Sequence, residues 1–289
     1  PSDLPWMPGL SGIPQILGFG VKVGSLNMLN KGSDSATELL IGKAYGLESL
    51  GLYSRAFGVF MLFEYALIQG IRPVVLPWLS QARRTQHALA PMYLKVISLV
   101  SACTLPFFSF LYICAPEVMS MLYGDQWTGA VPVLQVLCLA GLFIAPTSFF
   151  EQVLLAQGRP GKALQLQSLF QFGRLGLLCC LIALPLPMTA FAFVFGAMLK
   201  LLLIMRLARQ YLGIVAKDIA RVMGSAGVLA LAVAAVLTGV RQGLTILESE
   251  TLVVAICAAS AGLTWLLGLL SLKHPLADEL RRVSGKFGK

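Results

Sequence analysis

In this 289-residue chain 57% of residues are apolar and only 12% are charged, and mean hydropathy is +0.80. So few polar side chains cannot cover a water-soluble surface of this size. The net charge of +9 would suggest nucleic acid on a soluble protein, but here the excess Lys and Arg falls between recurring apolar runs, each close to the roughly 20 residues that cross a bilayer. These features exclude a soluble domain and a nucleic-acid partner, and the runs are too long and unbroken for barrel strands.

The chain is therefore predicted to be an all-α polytopic transmembrane helix bundle with about eight spans. "PSDLPWMPG" at the start is an irregular lead-in with neither an initiator methionine nor a signal pattern, so a fragment or a processed product is expected. The spans are predicted at 16–44, 56–79, 92–115, 130–156, 163–184, 188–205, 222–240 and 252–272. The fourth carries Pro132 and Pro146, which membrane helices tolerate when neighbours satisfy the freed carbonyls.

The loops alternate in charge. "SQARRTQ", "GRPGK", "RLARQYLGIVAKDIAR" and the tail "KHPLADELRRVSGKFGK" are basic. "PEVMSMLYGDQWTG" and "PLP" carry no Lys or Arg, and "RQGLTILESE" carries only Arg241 beside Glu248 and Glu250. That alternation is the positive-inside pattern, and it puts the C-terminus and the start of the first span in the cytoplasm. All loops are short, which leaves no room for a folded soluble domain.

"LNKGSDSATELLIG", 29–42, holds three charges inside an apolar span. At 100° per residue Asn27, Lys31, Asp34 and Glu38 fall within about 60° of one another. Ionisable groups at membrane depth face a protein interior or a wet cavity rather than lipid. One ion pair, Lys31 with Asp34, would explain two of them; four polar groups over three turns point to a hydrated substrate path. Glu64 and Arg72 follow on the second span, with Arg55 at its outer end, and Glu151 on the fourth. Gln167, Gln171 and Arg174 repeat the spacing on the fifth. Lys200, near an expected helix end, is assigned to snorkelling, and Arg72 divides evenly between snorkelling and the path. The last two spans carry small residues and no mid-span charge, and are expected to be scaffold.

Lys31, Arg55 and Arg174 are candidate cations for an anionic cargo such as a phosphate or diphosphate. Asp34, Glu38 and Glu64 could take up H⁺ or Na⁺ and couple transport to a gradient. No catalytic constellation, Walker motif or dinucleotide fingerprint is visible, so the chain is not expected to be an enzyme and no cofactor is expected. Two histidines and six cysteines (Cys103, Cys114, Cys138, Cys179, Cys180 and Cys257), with no C-x-x-C pair, suggest neither a metal site nor a disulfide framework. The cysteines are expected to be small buried apolar residues.

Four motifs in order resemble the polysaccharide-export branch of the multidrug/oligosaccharidyl-lipid/polysaccharide exporter superfamily. They are "DSATELLIGKAYGLESLGLYSRA" from Asp34, "RPVVLPWLSQ" from Arg72, "LYGDQWTGAVPVLQVL" from Leu122 and "LLAQGRPGKALQLQ" from Leu154. The resemblance covers about 18–213. It implies a Wzx-type flippase of the bacterial inner membrane that moves undecaprenyl-diphosphate-linked oligosaccharide for O-antigen, capsule or exopolysaccharide. It further implies alternating access between two helical lobes, with membrane lipid and polysaccharide polymerase or assembly proteins as partners. In that frame 1–213 would be the C-terminal lobe, 214–289 two trailing helices with a basic tail, and an N-terminal lobe of about six helices would be missing. Two alternatives stay open: a multidrug/cation antiporter with an acidic, aromatic cleft, and a non-transporting membrane scaffold held by internal ion pairs.

Overall fold

The computed structural model describes residues 13–71, 75, 77, 79, 81, 89–244, 250–272 and 274–276, which form helices joined by short turns, with no strand among them. Arg72, Arg83, Arg84, His87, Glu248, the lead-in and the tail apart from 274–276 lie outside the described residues, as does part of the second expected span.

The first element, α1, runs Ile13–Phe63 and is broken at Gly46. There φ is 84° and ψ 176°, a conformation that glycine adopts without the clash a Cβ would cause. The break turns the chain back on itself. A straight helix would hold Asp34 and Phe57 about 35 Å apart, yet both line one cleft. The arms 13–45 and 47–63 are thus a helical hairpin, and a π-helical turn, Glu64–Gln69, extends the second arm.

Next come α2 (Leu89–Ile113) and a short α3 (Ala115–Tyr123), followed by a 3₁₀ turn, Asp125–Ala130. Three short helices follow: α4 (Val131–Gly141), α5 (Ile144–Thr147) and α6 (Phe150–Ala156). They make one crossing bent by 51°, near Pro146. Then α7 runs Pro160–Leu181, α8 Leu186–Thr189, α9 Phe191–Leu212, α10 Ala216–Gly243 and α11 Glu250–Ser271.

Four helices among the described residues are long and apolar enough to cross a membrane, five with the bent pair. This falls short of the eight expected, and the reason is in part chemical. The first arm of α1, and α7, carry polar residues that line the cleft, and these lower their hydropathy; the second expected span lies partly outside the described residues. The bundle is a multi-pass helical membrane protein.

Its two ends are distinct. At one, Lys22 of α1, the turn 158–162 and Tyr211 of α9 meet around a hollow. At the other, the hydroxyl of Tyr45 lies 2.7 Å from the carbonyl oxygen of Ile182 and 2.6 Å from that of Leu184, tying the hairpin turn to the "PLP" turn.

The trailing pair packs on α2. Ala102 and Leu105 meet Ala226, Leu229, Ala230 and Leu269 in a buried cluster of their own. Trp265 Nε1–H donates to the Ala102 carbonyl at 2.7 Å. Two cysteines depart from expectation: Cys179 and Cys180, at the end of α7, are exposed.

Candidate functional site: a polar cleft between the hairpin and α7

The hairpin, the bent crossing, α7 and α9 enclose a cleft of about 640 Å³. The first arm contributes Asn27, Asn30, Lys31 and Asp34, and the second Phe57, Phe60, Met61, Glu64 and Tyr65. Gln167, Phe170, Gln171 and Arg174 enter from α7, and Phe193, Ala197 and Lys200 from α9. Thr147, Ser148 and Glu151 reach it from the bent crossing.

Arg174 organises this wall. Its Nη2 donates to Asp34 Oδ1 at 2.9 Å and to Ser33 Oγ at 3.2 Å. Its guanidinium carbon lies 4.8 Å from the centre of the Phe193 ring, within cation–π range. Room for the stem comes from Gly196, where a Cβ would approach Arg174 Cβ and Cγ to 3.3 and 3.2 Å. The Arg174 side chain is 7% exposed and that of Asp34 39%, so the pair has one buried partner and one that opens to the cleft. Arg174 Nε and Gln171 Oε1 are buried without a hydrogen-bond partner among the described residues. Each is a spare bonding position beside the cleft.

One turn away, Asn30 Oδ1 accepts from the side-chain amides of both Gln167 and Gln171, the latter at 2.8 Å. Two glutamines one turn apart on α7 thus converge on a single asparagine, which fixes the register of the two helices.

Of the residues expected from the sequence, Asn27, Lys31, Asp34, Glu64, Gln167, Gln171 and Arg174 meet at this cleft. Two do not line it. Glu38 is exposed one turn beyond Asp34. Arg55 stands over the rings of Tyr123 and Trp127, 5.1 Å from each centre, in a separate cation–π cluster toward the hairpin turn. The alternative of a local ion pair is not seen: Asp34 bonds Arg174 across helices rather than Lys31.

Asn30 and Lys200 were missed as site residues. Asn30 sits about 70° from the centre of the stripe, on the side that meets α7. Lys200 was placed near a helix end, but α9 continues to Leu212, so it lies mid-helix, with Nζ 4.9 Å from the centre of the Phe170 ring.

The exposed face of the first arm mixes polar groups with apolar ones such as Met28 and Leu39. Asn27, Lys31 and Glu38 are exposed, while Leu26, Ser33, Thr37 and Ile41 on the same arm are buried. Groups such as Lys31 and Glu38 are costly against hydrocarbon.

The family model described as "Polysaccharide biosynthesis protein" matches residues 3–132, which include the hairpin and Asp34. The teichuronic acid biosynthesis protein TuaB of Bacillus subtilis (strain 168) is 24% identical over 162 residues, 55% of this chain and 34% of that protein. The lipopolysaccharide biosynthesis protein WzxC of Escherichia coli (strain K12) is 23% identical over 150 residues, 52% of this chain and 30% of its own length. An uncharacterized membrane protein in the cps region of Klebsiella pneumoniae is 25% identical over 133 residues, 46% of this chain and 27% of its own length. The chain thus spans about a third of the length of the curated relatives it matches. No solved structure matches significantly. The four ordered motifs, the family model over the first 132 residues and the three relatives point the same way: this chain is similar to membrane proteins of polysaccharide biosynthesis.

Proposed function

We propose that this chain forms one wall of a flippase that carries undecaprenyl-diphosphate-linked oligosaccharide across the bacterial inner membrane by alternating access. The observation that carries the reading is the cleft. Three cations, Lys31, Arg174 and Lys200, share it with amide and hydroxyl groups. The cations suit a diphosphate and the amides suit sugar hydroxyls. The exposed Lys31 and Glu38 call for a second wall, because ionisable residues are costly against lipid; a facing lobe would supply it. The chain moves its cargo without altering covalent bonds and works without a cofactor. A proton or Na⁺ on Asp34 would break its pair with Arg174 and free the guanidinium, which gives ion coupling a physical handle. The end that gathers Lys22, Arg159 and Lys162 faces the cytoplasm by the positive-inside rule, and the C-terminus lies on the same side.

The test is a flipping assay on the protein encoded by the complete reading frame, reconstituted with an undecaprenyl-diphosphate oligosaccharide. Movement above empty liposomes that falls in Asp34→Asn is expected. No movement of several glycans by a folded protein would overturn the reading. A second reading has its own support: Asp34, Glu64 and Glu151 with five phenylalanines make the cleft acidic and aromatic as well. That suits the export of organic cations. Cation efflux by the same proteoliposomes, with no lipid movement, would select it.

A further inference from the structure

The charges of the basic end are organised in a way that loop topology does not require. Lys22 of α1 and Arg159 and Lys162 at the start of α7 converge on one hollow of about 430 Å³, which Gln165 and Tyr211 also line. Arg159 is held over the Tyr211 ring, 4.4 Å from its centre. Lys162 Nζ donates to Gln165 Oε1 at 3.2 Å. Here three solvent-exposed cations border one shallow hollow, and among the described residues no Asp or Glu lines it. A phosphate-bearing group, anionic and with several acceptor oxygens, would bond these cations.

The hollow also sits beside the cleft. Lys22 precedes Asn27 by five residues and Gln165 precedes Gln167 by two on the same helices. The separations along the axes are about 7 and 3 Å. An anionic head group held at the hollow would stand next to the polar wall.

We propose that this hollow is a binding site for the phosphate head group of a membrane lipid, a docking station outside the cleft. Two lipids offer that chemistry: a polyprenyl diphosphate, as in the proposed cargo, and an anionic phospholipid of the surrounding bilayer. Only the first depends on the flippase reading.

Native mass spectrometry of the detergent-solubilised protein, titrated separately with undecaprenyl diphosphate, phosphatidylglycerol and phosphatidylcholine, tests it. The comparison is between wild type and the variant Lys22→Gln/Arg159→Gln/Lys162→Gln. Wild type is expected to retain one or both anionic lipids over phosphatidylcholine, and the variant to bind them at least about tenfold more weakly. Loss confined to undecaprenyl diphosphate assigns the site to cargo; loss confined to phosphatidylglycerol assigns it to the bilayer. Loss of both means that the phosphate is read whatever its source. Unchanged binding in the variant, or no preference over phosphatidylcholine in wild type, overturns the proposal. Should the triple variant unfold, Tyr211→Leu keeps every charge and removes only the ring under Arg159; a weaker anionic-lipid adduct is then expected, and an unchanged one overturns the site. The outcome is independent of the Asp34→Asn flipping assay, so either proposal can fail alone.

Discussion

The hairpin with α7 and the trailing pair with α2 are both close-packed helical contacts, but opposite chemistries join them. In the first, polar side chains reach across: Asn30 to Gln167 and Gln171, and Ser33 and Asp34 to Arg174. In the second, small and aliphatic residues touch, and the cross-helix bond between α11 and α2 runs from the Trp265 indole to a backbone carbonyl. Lipid offers no hydrophobic force to hold helices together, so small-residue packing is an economical way to build a scaffold. Polar cross-links add register, but they bring groups that lipid cannot solvate. Arg241 at the end of α10 also pairs with Glu117 of α3 at 2.8 Å, but among the described residues no trailing-pair residue lines the cleft, which separates a working wall from its support.

The sharpest way to break that contrast is Arg174→Gln. It leaves Asp34 without its cationic partner and should abolish glycan export in a full-length background. Breaking a buried ion pair costs about 3–5 kcal/mol, but Asp34 is 39% exposed, and water will reduce the loss to about 1–3 kcal/mol. Thermal unfolding in detergent measures this, and the paired variant Asp34→Leu/Arg174→Met refines it. If the pair is only a structural seam, the double variant recovers both stability and export; if it is part of the path, stability returns and export does not.

Next in size is Gly46→Val. A β-branched residue at φ 84° should cost about 1–2 kcal/mol and loosen the hairpin. Export should fall along with thermal stability, because both arms line the cleft. A variant that keeps its melting temperature would show that the arms hold their angle without the glycine.

Much of this arrangement was legible in the sequence. The polar line from Asn27 through Asp34, the repeat at Gln167, Gln171 and Arg174, and the trailing helices without mid-span charge each follow from helical period and the cost of charge in lipid. What was not legible depends on partners distant in sequence. Arg55 left the path because Tyr123 and Trp127, some 70 residues later, capture it. Asn30 gained a role because two glutamines on α7 face it. Lys200 changed meaning because its helix runs seven residues past the expected end at 205. The apolar-run criterion could not distinguish a helix facing lipid from one facing a wet cleft.

A scaffold substitution should give the complementary result. Trp265→Phe removes the donor to Ala102 and keeps most of the ring, so it should cost about 1 kcal/mol of stability with glycan export unchanged. A fall in export without a fall in melting temperature would place the trailing pair in the transport cycle rather than under it.

The smallest effect concerns pH at the basic end of the scaffold. His274 follows α11 and is buried, with Nε2 3.2 Å from Ser98 Oγ on α2. Its Nδ1 accepts the backbone N–H of Leu276 at 3.2 Å, so the neutral tautomer with its proton on Nε2 fits the site. Burial lowers the pKa from its ordinary 6.5. A proton added at Nδ1 would point at another N–H and would lose water besides. The unfolded chain then binds more protons than the folded one between the two pKa values. Stability is therefore complete above about pH 6.5 and declines as pH falls through the lowered value. Melting temperature measured from pH 8 to 5 should show this slope in wild type and a shallower one in His274→Gln, whose amide can replace the bond to Ser98 without titrating. Equal slopes would mean that the acid sensitivity of the scaffold arises elsewhere. A drop in export over the same range, with the slope of stability unchanged, would return the pH dependence to the carboxylates of the cleft.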